Sequence, residues 1–176
     1  MVRPPSIPPF TVLRLEASDA PRLQSLFAAC PDYFHLVYGE PAGLATAEEE
    51  LGGLPPGKSL EDKFFLGLLQ PDDALVGVID LVRDYPTPGT WYLGLLLLHP
   101  ALRGLGHGQA IHAGIRKWVH AQGGRAIRLG VLEHNVKALA FWERLGYREV
   151  ARKPFDAGKL THTVRVMQVD LSSTAL

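Results

Sequence analysis

The sequence predicts a single α/β domain built on a mixed, mostly antiparallel sheet with helices on both faces. Three observations lead there. Three apolar runs within residues 63–100, separated by turn-forming residues, read as an antiparallel meander. Residues 91–133 then form one strand–helix–strand crossover, which sets its two strands parallel and right-handed. A second amphipathic helix is followed by two more strand-like segments, the last of which alternates clearly.

Taken in order, Pro4, Pro5, Pro8 and Pro9 predict an extended, loose start, so residues 1–9 are expected as a flexible segment. FTVLRL, residues 10–15, reads as the first strand. Asp19 is a candidate helix cap, although Pro21 suits the first turn equally well. Leu23, Leu26 and Phe27 give that helix its apolar stripe, and it should end near residues 30–32. YFHLVYGEP is aromatic and semi-helical, and a short helix is expected from about Ala45 to Leu51. Gly52, Gly53, Pro55, Pro56 and Gly57 then force a turn-rich connection. That region serves either as a pocket wall or as a surface crossing.

KFFLGLLQ, ALVGVIDLVRDY and TWYLGLLLLHP are the meander strands. Alternation places Val76, Val78, Asp80 and Val82 on one face of the second. A long helix over about 105–122 buries Ile111, Ile115, Trp118 and Val119. AIRLGVLE, residues 126–133, is the next strand. NVKALAFWERLG is a helix with Ala138, Phe141, Trp142 and Leu145 near one face, stopped by Gly146. YREVARKPF and LTHTVRVMQVDL complete a domain expected over residues 10–171, with residues 172–176 as a tail.

Composition narrows the function. The 176 residues carry 18 basic and 18 acidic side chains, a formal net charge of +0, which gives no support to a nucleic-acid footprint or a polybasic membrane surface. Cys30 is the single cysteine, and the seven histidines form no HExxH arrangement, so no metal is expected. MVRPPSIPPF does not read as a signal peptide, and no apolar run reaches the roughly 18 residues that span a bilayer. The expected location is the cytoplasm.

Chemistry concentrates in HPALRGLGHGQ, where an apolar strand ends and a helix begins. It is neither a GxxxxGK loop nor a GxGxxG fingerprint placed early in a βαβ unit. A tight helix start accounts for the glycines. So does a phosphate resting on the N–H groups of the first turn, which have no intrahelical acceptors.

The motifs extend this reading. After LLLLHP come Arg103, Gly106 and Gly108, with Gly104 completing an Arg-Gly pair; Asn135, Ala138, Phe141, Trp142, Gly146 and Tyr147 follow in order. Together they resemble the Gcn5-related N-acetyltransferase superfamily over roughly residues 10–170. The resemblance implies that acetyl-CoA is the cosubstrate, bound between splayed parallel strands at 91–98 and 126–132. It implies that the backbone of Leu96, Leu97 and Leu98 pairs with the pantetheine arm. Arg103, Gly104, Leu105, Gly106, His107, Gly108 and Gln109 would hold the pyrophosphate. Asn135 would contact pantetheine or cap its helix, and Ala138 and Trp142 would line the tunnel.

The implied reaction is direct attack of an amine on the thioester. Many relatives place a tyrosine where this chain has Trp142, whose indole does not titrate. Many carry a glutamate where this chain has Tyr92. Asp80, Tyr92 and His134 are therefore the candidate proton-transfer residues, each also explicable as an ordinary structural side chain. Tyr33, His35, Tyr38 and Glu40 are candidates for the acceptor side. The alternative to an enzyme is a catalytically weak acyl-CoA-binding regulator. Exposed edge strands near the C-terminus leave pairing of two copies open.

Overall fold

The computed structural model describes residues 2–171; the expected tail, 172–176, lies outside the described residues. Seven strands form one sheet: β1 (Thr11–Arg14), β2 (Lys63–Leu69), β3 (Leu75–Val82), β4 (Thr90–Leu98), β5 (Ala126–Leu132), β6 (Arg148–Ala157) and β7 (Leu160–Asp170). Their spatial order is β1-β2-β3-β4-β5-β7-β6, and every pairing is antiparallel except β4 with β5. Five α-helices flank it: α1 (Ala20–Ala28), α2 (Pro31–Tyr38), α3 (Thr46–Gly52), α4 (His107–Ala121) and α5 (Val136–Arg144). No described helix is long and apolar enough to cross a membrane.

The two faces carry separate cores. α4 and α5 cover the face of Phe64, Ile79, Leu81, Trp91, Ile127 and Met167, to which Ile111, Ile115, Val119 and Trp142 add their side chains. α1, α2 and α3 cover Phe65, Val78, Leu95 and Leu97 with Leu23, Phe27, Phe34 and Ala47. The central strands are apolar on both sides because both sides are covered, so period-two alternation is weak there.

Three expectations change. Val76 does not share a face with Val78: the register moves from Leu68↔Gly77 to Leu69↔Leu75, so Val76 is an inserted bulge residue and packs in the opposite core. Asp19 makes no side-chain cap to α1. Its carboxylate accepts from Glu16 N at 2.7 Å and pairs with Arg22 instead. Residues 2–9, expected as loose, lie against α4. Ile7 is 2% exposed, and the Trp118 indole donates to Arg3 O at 2.8 Å. The prolines set the backbone direction, but the apolar side chain and one buried N–H supply the anchor.

α4 also buries His112, whose Nε2 lies 2.9 Å from the Tyr147 hydroxyl. Desolvation, helped by Arg116, pushes its pKa down from 6.5 to about 4. The unfolded chain therefore binds the extra proton first. The contribution to stability is complete above about pH 6.5 and is lost as pH falls toward 4, a span on the order of 3 kcal/mol. Urea denaturation of the wild type between pH 7.5 and 4.5 should show this loss, and His112→Gln should flatten that part of the profile.

Candidate functional site

The site begins where two neighbouring strands stop pairing. β4 and β5 pair from Thr90↔Ala126 to Leu93↔Leu129, after which no pairing joins them, although β4 continues to Leu98 and β5 to Leu132. The next residue of β4, Gly94, is a bulge: the β3 ladder passes from Leu81↔Leu93 to Asp80↔Leu95. A bulge bends its strand and increases local twist, which turns β4 away from β5. It also inverts the faces, so Trp91 and Leu93 enter the α4–α5 core while Leu95 and Leu97 enter the other.

Two cavities open from this wedge. One, of about 960 Å³, runs over Leu96, Leu97 and Leu98 to Arg103, Gly104, Gly106, Gly108 and Gln109. The other, of about 390 Å³, runs between α2 and the β4–β5 opening toward β6. Tyr33, Leu36, Leu96, Asn135, Ala138 and Trp142 line both and so form their junction.

The larger cavity gathers backbone donors and cationic side chains. Gly104 and Gly106 have φ of 74° and 82°, a left-handed backbone that favours glycine, and Gly106 caps α4 without a side-chain bond. The first-turn N–H groups of this 15-residue helix therefore have no side-chain cap. Arg103 is fixed by Nε–H donation to Leu98 O at 2.8 Å and by an ion pair with Asp32, while its Nη2 is buried without a partner among the described residues. Lys137 and Arg144, which sequence reasoning missed, line the same cavity from α5. Their seven-residue spacing, on the side of the helix that carries Phe141, was the available signal. Leu105 and His107 do not line it: Leu105 is exposed, and the His107 ring packs edge-on to Phe10. Asn135 caps α5, its Oδ1 accepting from Ala138 N at 3.2 Å. Trp142 is held edge-to-face by Phe141 and Tyr147, with centroids 4.8 and 5.2 Å away.

The smaller cavity carries phenols and one carboxylate. Tyr33 and Tyr38 come from α2, which is tied to β7 through His162 Nε2 and Val37 O at 2.7 Å. Glu50, missed from sequence, comes from α3. The start of that helix is held by Gln24, which accepts from Ala47 N and donates to Gly43 O. Desolvation raises the Glu50 pKa above 4.5, the Asp80 charge adds to the rise, and Lys63 opposes it. Tyr92 lines this cavity. Its hydroxyl lies 3.1 Å from where a Cβ on Gly130 would stand, so it reaches across the wedge toward β5. Burial raises its pKa, with Tyr85 adding and Arg128 opposing. Burial also raises Tyr33 and Tyr38, so the phenols stay protonated near neutral pH.

The other candidates are placed elsewhere. Asp80 lines neither cavity; its Oδ2 accepts from buried Lys63 Nζ at 3.0 Å, and Oδ1 is buried without a partner among the described residues. Desolvation raises its pKa despite Lys63. His134, just past the end of β5, is exposed with its ring 5.1 Å from that of His162, and it lines neither cavity. His35 and Glu40 are exposed as well: His35 Nδ1 sits on Pro31 O at 2.7 Å, and Glu40 pairs with Lys159.

The chain matches the acetyltransferase (GNAT) family over residues 21–147. No curated protein sequence matches it. An acetyltransferase from Thermus thermophilus superposes with a TM-score of 0.75 at 26% identity, over 94% of this chain and 99% of that one. Two others share the fold at lower identity. A spermidine N-acetyltransferase from Vibrio cholerae, in complex with CoA and spermine, gives 0.71 at 16% identity, over 92% and 95% of the two chains. The ribosomal-protein-S18-alanine N-acetyltransferase from Escherichia coli gives 0.68 at 17%, over 93% and 94%.

The buried Lys63–Asp80 pair makes a direct prediction. Asp80→Ala leaves the buried Lys63 ammonium without its ion-pair partner, hydrogen-bonded to Gly53 O and facing the Phe65 ring, and should cost about 3–5 kcal/mol in urea denaturation. A Lys63→Met, Asp80→Leu double change, which removes both charges, should recover most of that loss.

Proposed function

The chain belongs to the acetyltransferase (GNAT) family, and from that premise we propose that it moves the acetyl group of acetyl-CoA to an amine of a small molecule or peptide. The observation that carries this reading is the pair of cavities meeting at the β4–β5 wedge, one lined by an anion-binding helix start and the other by a carboxylate and three phenols.

The residues present fit the cosubstrate. The buried, unpartnered Nη2 of Arg103 is a donor without an acceptor, and burying such a group costs about 1–3 kcal/mol unless something accepts from it. A phosphate there would meet Arg103, the N–H groups opening α4, and the charges of Lys137 and Arg144. The unpaired edge of β4 at Leu96–Leu98 is open to an extended amide chain. Acetyl-CoA, when bound, supplies the thioester carbon and a sulfur leaving group.

The chain's own side chains then divide the proton work. An ammonium acceptor must lose a proton before its nitrogen can attack. Glu50 takes it, directly or through water, and its raised pKa brings it closer to that task than an ordinary carboxylate. Tyr33, neutral and at the junction, offers its O–H where negative charge develops on sulfur or on the carbonyl oxygen. Tyr92 donates from the β4 wall. Trp142 shapes the junction. Asp80 acts on Glu50 through its charge and does not touch the acceptor. The binding-module alternative draws on Trp142, which lacks a titratable proton, and Tyr33 at the junction answers that argument.

Incubation with acetyl-CoA and a broad amine panel should release free CoA and give a product heavier by one acetyl group; tight CoA binding without any product would favour the regulator. In Gly106→Ala the free loop escapes a left-handed strain of about 1–2 kcal/mol by relaxing out of this backbone, so CoA binding must restore the strain and the affinity by calorimetry should fall about tenfold. Glu50→Gln should lower kcat/KM by about a hundredfold and remove its fall toward acid pH, which in the wild type lies above the usual carboxylate range. Because the folded-state pKa of Glu50 is raised, its ionised form opposes folding above that pKa. The same variant should therefore be more stable near neutral pH while it loses activity.

A further inference from the structure

The geometry points to an acceptor that carries a carboxylate or other anionic group as well as its amine, bound with the amine toward Glu50 and the anion toward Lys153. This rests on the reading of the smaller cavity as the amine site and narrows it to a substrate class, the amino carboxylates.

The argument starts from the lining. Among its titratable residues the cavity has three phenols, one acid and one base: Tyr33, Tyr38, Tyr92, Glu50 and Lys153. Asn135 adds one uncharged polar side chain, and most of the rest is apolar, including Leu36, Val37 and Phe155. Register puts Lys153 on the cavity side of β6. It pairs with Val164, which is buried beside Val37 and Leu132, and Phe155 lies two residues on, on the same face. Its cationic neighbours are neutralised within the protein. Arg152 pairs with Glu133 and Glu149, and Arg165 with Glu149 and Glu143. Lys153 has no ion-pair partner among the described residues, so its charge is left facing the cavity mouth.

The two charges sit at opposite ends. Glu50 belongs to α3 and is near enough to Asp80 and Lys63, on β3 and β2, for their charges to shift it. Lys153 stands on β6, across β5 and β7 from the wedge. Counted from β3, which carries the Asp80 charge beside Glu50, β6 is four strand spacings of about 4.8 Å away, roughly 20 Å before the two side chains reach inward. An amine with an anionic group at its other end spans that gap and neutralises both. A polyamine would bring a second ammonium against Lys153, an unfavourable like-charge contact.

Matched acceptors test this: α- and ω-amino acids, their carboxamides, and the corresponding amines without the carboxylate. With acetyl-CoA, kcat/KM should favour each carboxylate over its carboxamide by about tenfold, the discrimination of one charge-assisted contact. Spermidine should be a poorer acceptor than an amino acid of similar length. Lys153→Met should bring the carboxylate-to-carboxamide ratio close to one, and Lys153→Arg should restore part of it. Equal or better turnover of the carboxamides or of spermidine overturns the inference while leaving acetyl transfer intact. Calorimetric binding of the same pairs to the CoA-loaded protein gives a readout without turnover. Carboxylate-dependent binding that Lys153→Met abolishes supports the inference even if no acetyl group moves, and binding indifferent to the carboxylate, or none, overturns it.

Discussion

Everything functional in this chain depends on two strands ceasing to pair. A parallel pair satisfies its backbone groups along its length, so opening one exposes N–H and C=O groups that something else must meet. β4 and β5 accept that exposure beyond Leu93 and Leu129, at the bulge of Gly94. The sheet stays intact because β3 pairs the other edge of β4, and β7 the other edge of β5, up to their ends. The wedge is thus a local defect in a continuous scaffold, and the two flanking helix groups convert it into two joined cavities.

Electrostatics then divides the cavities. On one side, a helix start, a loop of left-handed glycines and three cations leave donors in excess, with Arg103 held in place by Leu98 and Asp32. On the other, desolvation acts on Glu50, Tyr33, Tyr38 and Tyr92 in the same direction: each is driven toward its protonated form. Ionised Glu50 is thereby made more basic, and the phenols are kept as donors. The buried Lys63–Asp80 pair lies behind Glu50 and sets part of its environment. Such sites exchange stability for chemistry, since a buried carboxylate near another carboxylate opposes folding when it ionises.

Much was legible before any coordinates. Strand and helix identities followed from apolar runs and from helical spacing in α4 and α5, and the crossover rule gave the parallel pair. The glycine loop was recognisable because its chemistry is local: a helix start, its cap and its N–H groups lie within a few residues. The smaller cavity was not legible in the same way. Asp80 and His134 were reasonable by residue type, yet one is consumed by a buried ion pair and the other faces outward. Tyr33 and Tyr38 stood beside His35 and Glu40 as equal candidates, and Glu50 gave no signal. Their separation comes from α2 and α3 folding back over strands far along the chain.

The sequence by itself therefore determined the element order, the mixed sheet, the helix start that can hold an anion and the family motifs that frame it. All of these rest on interactions among near neighbours or on a simple period. Only the tertiary structure decided which titratable groups share a cavity, how far burial moves them, and that Val76 and Leu95 change faces at bulges. Those outcomes depend on desolvation and long-range packing, which no local pattern of residues records.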